Sequence, residues 1–551
     1  MKKWWITATV LLLLTGGTWM YLKYRKSEDF EPLIKAKLQQ AVKDGSNGLY
    51  TLETGEIEID IVNSSVVVID ARLIIDSARL KVLDSLYEAP DDIYKISFKA
   101  LSVTGISAAD ILNKDSINLK VVYVNEPSVE IYHHKRAYHY KSKDTSSLYS
   151  KISKGLGHVK VDNLVITEMD FIYNNIAKKN KVTKFENVSM DFKDIDIDSA
   201  TQFDTGRFLY AKDANIFLNN YSIKTTDSLY LFSVDSIALH ASTGNMDLTG
   251  IEFKPRGKKE DFSSKLKYYQ DRYNIDISTM SFKNIDWYKL LSEDGFSTSE
   301  AGLSNGEIEI FGDMSLPSSG ENKLGKYPHQ LLTKIEMPLQ VPLVKLKNFK
   351  LVYKEFNPAS GKTGEVEFDK INATITNAVN QKEDIAKNHF LKIDAHALAM
   401  GEGDLNAVFN LDLAKANAGI FSIDVDLGKM DGKLFNKAIT PLSLVEINVL
   451  DINSLKAHVD GNNTIASASV TFAYDNLDIT ALKADDKSGK LKNKGFLSFI
   501  ANTFVIKKSS PQKGKFLVTQ QVSYTRNIHR SFFNLVWKTI LEGITATVKG
   551  K

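Results

Sequence analysis

One-sided alternation constrains this chain more than any other feature. In TGEIEIDIVNSSVVVID, Ile57, Ile59 and Ile61 alternate with Glu56, Glu58 and Asp60, which predicts a strand with apolar groups on one face and carboxylates on the other. The same texture recurs in INLKVVYVNEPSVEIY, VKVDNLVITEMDFIY, YNIDISTMSFKNIDW, VKLKNFKLVYKEF and ASASVTFAYDNLDITAL. Helical patterns are brief: IDWYKLLSEDG after Ile285 and LGKMDGKLFNKAI before Pro441. Each apolar strand face needs a cover, a helix layer or a second sheet, and helices are too few to supply it. A compact core stops growing at about 250 to 300 residues, and this chain has 551. The chain must form several sandwiches, or one curved sheet whose apolar face is covered by other material.

Composition removes several classes of partner. The 70 basic and 67 acidic residues nearly cancel, and no basic block of the kind that tracks phosphates appears, so nucleic acid is not an expected partner. With no cysteine, disulfides, thiolate metal sites and cysteine nucleophiles are excluded.

The amino terminus, MKKWWITATVLLLLTGGTWMYLKYRK, carries an apolar run from Trp4 to Leu22. At about 1.5 Å per residue it just spans a hydrocarbon core of roughly 30 Å. Trp4, Trp5, Trp19, Tyr21 and Tyr24 sit at its ends, as interfacial aromatics do. Residues 1–26 therefore read as a membrane anchor. A cleaved signal peptide is the competing reading, with Thr15, Gly16 and Gly17 as its cleavage region, although the apolar run continues past them. Lys23, Arg25 and Lys26 against Lys2 and Lys3 leave the orientation open. Residues 27–48 follow as an amphipathic helix, with Leu33, Ile34, Leu38, Ala41 and Val42 at helical spacing and Gly45 and Gly48 as stop signals.

The segments VKVDNLVITEMDFIY from Val159 and VKLKNFKLVYKEF from Val344 are loose copies, each with an Asn (Asn163, Asn348) at a candidate kink. No strict repeat period emerges, and a long antiparallel meander fits better.

The anchor, the helix leading into GLYTLETGEIEIDI, the stretch DLTGIEFKPRGKKEDFSSKLKYYQDRYNIDISTMSFKNIDWYKLL and the ending RNIHRSFFNLVWKTILEGI together resemble AsmA-like envelope proteins of Bacteroidota-type bacteria, within the bridge-like lipid transfer group. The resemblance implies a single-pass inner-membrane protein whose large domain is periplasmic. It also implies an elongated apolar β-groove and a role in phospholipid movement between envelope membranes or in outer-membrane homeostasis. The implied partners are phospholipids, the inner membrane and a protein of either envelope membrane. The expected fold is thus mainly β: an N-terminal transmembrane helix, then one elongated, twisted antiparallel sheet curled into a groove over residues 49–525, with short helices at the ends. About thirty strands at roughly 4.8 Å would make that groove at most about 150 Å long. The rival expectation is a non-enzymatic β-rich scaffold or assembly factor that tethers envelope partners without carrying lipid.

Chemical motifs do not converge. In YHHKRAYHY, with His133, His134 and His139, adjacent histidines on a strand point to opposite faces, and no carboxylate triad follows at ligand spacing. DIDIDSATQFD aligns Asp194, Asp196 and Asp198, but a calcium loop would need Gly where Ser199 stands and an acid where Thr205 stands. KPRGKKE, with Lys254, Arg256, Lys258 and Lys259, reads as a basic turn or an anionic-headgroup contact. The Gly401–Gly403 stretch lacks the Lys and Ser/Thr of a phosphate loop, and no G-x-S-x-G or H-E-x-x-H is present. No catalytic residue, metal site or cofactor is expected, and the protein is read as non-enzymatic.

Two sets of residues carry the functional expectation. Ile57, Ile59, Ile61, Val161, Ile166, Ile275 and Ile277 are candidate groove-lining residues, subject to strand register, because a slip of one residue flips every side chain. In the C-terminal helix expected over 526–551, Phe532, Phe533, Val536, Trp537, Ile540, Leu541 and Ile544 form one apolar stripe. Three roles are open to it: capping the groove, lying on a membrane or partner, or packing on the sheet. The capping role predicts that residues 531–551 are dispensable for folding and needed for lipid delivery.

Overall fold

The computed structural model describes residues 30–60, 63–105, 116–136, 138, 158–176, 181–292, 295–484, 491–493 and 506–549. The expected anchor over 1–26 lies outside them, and among the described residues no helix is long and apolar enough to cross a membrane. The fold is mainly β, and the chain resolves into two compact units, Met1–Ile223 with Ser233–Leu248 and Lys224–Phe232 with Thr249–Lys551.

The first unit opens with helix α1 (Phe30–Gly45), which buries Leu38 and Val42. Strands β1 (Tyr50–Glu53), β2 (Ile57–Asp60) and β3 (Ser65–Ile75) follow, then α2 (Ser77–Ser85), whose N-cap Asp76 accepts from the backbone N–H groups of Ala78 and Arg79. The unit continues through β4 (Asp92–Thr104), β5 (Ser116–Asn125), β6 (Ser128–His133), β7 (His158–Asn175), β8 (Lys181–Ile197) and β9 (Ala211–Lys224). Leu49, Leu83, Ala89 and Ile93 form a small core where α2 meets the sheet.

Strands β10 (Tyr230–His240) and β11 (Asn245–Pro255) contribute residues to both units. The second unit then runs through α3 (Lys259–Ser264), β12 (Arg272–Lys283), α4 (Trp287–Ser292), β13 (Phe296–Ser297), β14 (Glu300–Asp313) and α5 (Pro328–Leu332). Next come β15 (Leu339–Asn357), β16 (Lys362–Val379), α6 (Lys382–Lys387), β17 (Phe390–Ala399), β18 (Gly403–Asp412), β19 (Phe421–Leu427) and β20 (Met430–Asp431). It closes with α7 (Asn436–Ser443), β21 (Val445–Gly461), β22 (Ile465–Ala484), β23 (Leu491–Asn493), β24 (Thr519–Thr525) and α8 (Phe532–Lys549). The helix expected after Ile285 is α4. The one expected before Pro441 is split into a 3-10 turn over Gly432–Phe435, where the Asp431 side chain accepts from the Lys433 N–H, and α7, which runs on through Pro441 to Ser443.

The pairing is mixed, which corrects the expected antiparallel meander. β7 runs parallel to β5 and β6, and β15 runs parallel to β13 and β14. A parallel return needs a connection of a dozen residues or more, and the stretch before β15, from Met314 to Pro338, is long enough and carries α5. The two loose sequence copies are these two returning strands. From β15 onward the order is sequential and antiparallel through β16, β17, β18, β19, β21, β22 and β24.

Kinks in the strands are built from residues with left-handed backbone. In the first unit these include Asp70, Glu168, Asn187 and Asn220, with Glu126 at the break between β5 and β6; in the second, Asn305, Asn348 and Lys370. Register shifts accompany several of them, between Ile166 and Phe171 in β7 and between Leu346 and Leu351 in β15, as expected of bulges that bend and twist a strand. The kink in β7 is Glu168, not Asn163, which stays in the ladder opposite Lys193. At such points the spacing of buried side chains lengthens from two to three: Val68 to Ala71 across Asp70, and Phe98 to Leu101 in the neighbouring β4. The extra residue resets the alternation, so the apolar side chains stay on one face. Lys99, between Phe98 and Leu101, ties three kinks together. Its ammonium hydrogen-bonds Glu126 at 2.7 Å, and that bond, with the charges of Glu168 and Asp70, raises its pKa.

The main core of the second unit lies under α8. Ile423, Val459 and Val470 are fully buried beneath Phe532, Leu535, Val536 and Ile540. The buried stripe of α8 is Phe532, Leu535, Val536, Thr539, Ile540, Gly543 and Thr547, rotated from the expected one. Phe533 and Trp537 are 61% and 50% exposed, and Leu541 and Ile544 are half-buried. The rotation has a polar cause: the Thr539 and Thr547 hydroxyls donate to the carbonyls of Leu535 and Gly543, at 2.8 and 2.9 Å, and so can be buried. Gly543 completes the fit, since a Cβ there would overlap the Val470 side chain. Ordinary core packing is therefore part of the helix's role, and removing residues 531–551 would uncover the largest core of the unit. That corrects the expectation of dispensability.

At the start of α8 the Tyr327 ring lies 4.9 Å from that of Phe532, with the Arg526 guanidinium 4.3 Å above it. Next to it His329 is fully buried, and neither ring nitrogen has a hydrogen-bond partner among the described residues. Burial pushes its pKa down to about 4, against the opposing charge of Asp412.

Two measurements follow from this packing. Gly543→Val should lower the urea stability of the second unit by about 1–3 kcal/mol through overpacking, whereas Glu542→Gln, at the exposed position beside it, should change it by less than about 0.5 kcal/mol. For His329, the unfolded value of ~6.5 lies above the folded one, so the unfolded chain binds the proton first. Stability should fall as pH drops from about 6.5 to about 4, by up to ~3 kcal/mol. His329→Phe should flatten urea melts over that window, and an unchanged slope would assign the pH dependence to other groups.

Candidate functional site

The sheet of the second unit sorts its side chains by face. Residues directly opposite in register share a face, so rows can be followed across the strands. One row runs Phe282, Ala301, Val344, Ile375, Ile393, Phe409, Ile423, Val459, Ala468, Val522, from β12 to β24. Its neighbour runs Met280, Leu303, Leu346, Ala373, Ala395, Ala407, Val425, Ala457, Val470. A third passes through Ile275, Ile308, Leu351, Phe368 and Ala399.

Cover is present over only part of this face. Ile423, Val459, Ala468 and Val470 are buried under α8, whereas Val344, Ile375, Ile393 and Phe409 in the same row, and Leu303, Leu346, Ala373, Ala395 and Ala407 in the next, are only half-buried. The half-exposed band borders α8, where the Phe533 ring meets Phe409 edge-on at 6.5 Å. From β12 to β18 it extends roughly 24 Å at ~4.8 Å per strand, which exceeds the roughly 15 Å hydrocarbon depth of a single leaflet.

The opposite face is polar. Lys345 Nζ lies 2.7 Å from a Glu300 carboxylate oxygen, Lys456 Nζ 3.2 Å from Asp426, and His458 Nδ1 2.6 Å from Asp424. The Asp424 hydrogen bond, helped by Asp460, raises the His458 pKa. These exposed pairs contribute little stability and mark the face that meets water. A shallow depression on that side is lined by Lys345, Lys347, Thr374, Lys392, Asp394 and His396.

The expected lining residues divide by environment. Ile275 pairs with Ile308 and Ile277 with Gly306, and both are half-buried at the β12 edge of the apolar face. In the first unit Ile57 and Val161 are closed in by protein, Ile59 and Ile166 are half-buried, and Ile61 lies outside the described residues. Sequence reasoning missed Leu303, Val344, Leu346, Ile375, Ile393 and Phe409. The alternation in NATITNAV and FLKIDAHALA was visible, but the register that joins these strands into rows was not.

The other sequence candidates have structural partners. His133 Nδ1 meets Asp92 at 2.7 Å and its ring stacks on Tyr173, while His139 lies outside the described residues. Asp194 pairs with Lys212 at 2.7 Å. The ligand atoms of His158, Asp196 and Asp198 do lie within 4.8 Å of one another. However, His158 already bonds Asp196 at 2.7 Å, and Asp198 accepts from the backbone N–H groups of Ala200 and Thr201 in a turn. In the basic turn, Lys254 pairs with Asp276 and Arg256 donates to the Ser228 carbonyl. The chain matches no family model and no curated protein sequence.

Proposed function

We propose that this protein is a non-enzymatic lipid carrier that holds phospholipid acyl chains along the half-exposed apolar band of its second unit. The observation that carries the reading is the run of half-buried apolar residues Val344, Ile375, Ile393 and Phe409, in register across β15 to β18, on the face whose β21 and β22 positions Val459, Ala468 and Val470 are buried under α8. Acyl chains are the cover that suits such a band, at about 0.8 kcal/mol per buried methylene. The resemblance to AsmA-like proteins supports the same assignment. On it, the protein is anchored in the inner membrane with its large domain in the periplasm, and supports lipid movement between envelope membranes or outer-membrane homeostasis. The rival reading, a scaffold that tethers partners without lipid, predicts that the band contacts protein only.

Site-specific photocrosslinking in native membranes separates the two. A benzophenone side chain at Ile393 should yield phospholipid adducts, and one at Asp394, on the opposite face, should not. Ile393→Glu should reduce copurifying phospholipid at matched thermal stability, because an unpaired charge against acyl chains is costly, while Lys392→Glu should leave it unchanged. Protein adducts alone at position 393 would favour the scaffold and overturn the carrier.

A further inference from the structure

The segment leading into β24 carries the most exposed large apolar side chain among the described residues of the second unit. Phe516 is 93% exposed, and Leu517 and Val518 beside it are 41% and 55% exposed. They follow Gly514, which has a left-handed φ of 79°, and they precede the first residue of β24. Single exposed hydrophobics are ordinary, but three in succession at a tip need an occupant. Lys513 and Lys515 stand next to them and are exposed as well.

Charge identifies the occupant. Between Asp486 and Glu542 the sequence contains no acidic residue, although acids and bases nearly balance over the whole chain. Lys507, Lys508, Lys513, Lys515 and Lys538 all fall within that interval. An apolar tip flanked by ammonium groups, with no carboxylate in the surrounding sequence, matches an anionic bilayer: aromatic and aliphatic groups enter the acyl boundary, and lysines remain at the phosphates. An acidic protein would satisfy the lysines but gives no reason for three consecutive solvated hydrophobics.

We infer that residues 513–518 form a docking tip for the surface of an anionic lipid bilayer, with Phe516, Leu517 and Val518 entering it and Lys513 and Lys515 at its phosphate level. This goes beyond the acyl-chain reading and stands even if the band on the sheet holds no lipid.

The absence of cysteine makes a direct test available. Phe516→Cys, labelled with an environment-sensitive fluorophore on the full chain in phosphatidylcholine nanodiscs, is mixed with phosphatidylcholine vesicles or with phosphatidylcholine/phosphatidylglycerol vesicles. The expected result is a blue shift and protection from aqueous iodide with the anionic vesicles only, lost at high salt. A label at Lys456→Cys, an exposed position on the polar face, should not respond. Lys513→Gln with Lys515→Gln should weaken the vesicle response roughly 30-fold, from two surface lysines. An equal response to neutral vesicles, no response to either, a label already shielded before vesicles are added, or a response to polyglutamate in place of vesicles would each overturn the inference.

Discussion

Apolar side chains on one face of a sheet cannot be left to water, and the second unit depends on how that demand is met. Register aligns the apolar positions of successive strands into rows that cross from β12 to β24. On those rows Ile423, Val459, Ala468 and Val470 are buried under α8, whereas Val344, Ile375, Ile393 and Phe409 are half-exposed. Burial at about 25 cal/mol per Å² makes the covered part a core and leaves the rest with an unmet preference for apolar contact. Other elements of the unit serve this division. Gly543 brings α8 close to Val470, and the threonines of α8 hide their hydroxyls within the helix.

Strands of this length twist strongly, and simple alternation would carry side chains out of phase with one another. The left-handed residues correct this. Asp70, Glu168 and Asn187 in the first unit, and Asn305, Asn348 and Lys370 in the second, each add or redirect one residue. Most are Asn, Asp or a charged residue, which suits exposed positions; Asn and Asp also tolerate this conformation best. Their side chains pair across strands, as Asn348 Nδ2 does with Asn305 Oδ1 at 2.8 Å. In the first unit the acidic kinks share Lys99.

Strand content and the two short helices near Trp287 and before Pro441 were legible in the sequence because alternation and helical spacing are local. The kinks were only half legible. Asn348 could be identified by residue type, but Glu168 could not, since nothing local marks a glutamate as left-handed. Parallel pairing of β7 and β15 was invisible, because it depends on where long connections return. The face of α8 was misread for a related reason: a wheel ranks Phe533 and Trp537 above Thr539 and Gly543, whereas close approach to the sheet favours the small residues. Of the band itself, Ile275 and Ile277 were found and its centre at Ile375 and Ile393 was not, because that centre exists only once the strands are in register.

From β15 to β24 nearly every strand pairs with the one made just before it, apart from the short β20 and β23. In its backbone pairing such a ladder is close to one-dimensional, each strand bonding mainly to its neighbours, while α7 and α8 each lie across several strands. Duplicating or losing one hairpin would then lengthen or shorten the apolar rows by about 10 Å without disturbing the pairing on either side. The reach of the surface is thereby a quantity that evolution can adjust by counting strands, independently of the chemistry of any one of them.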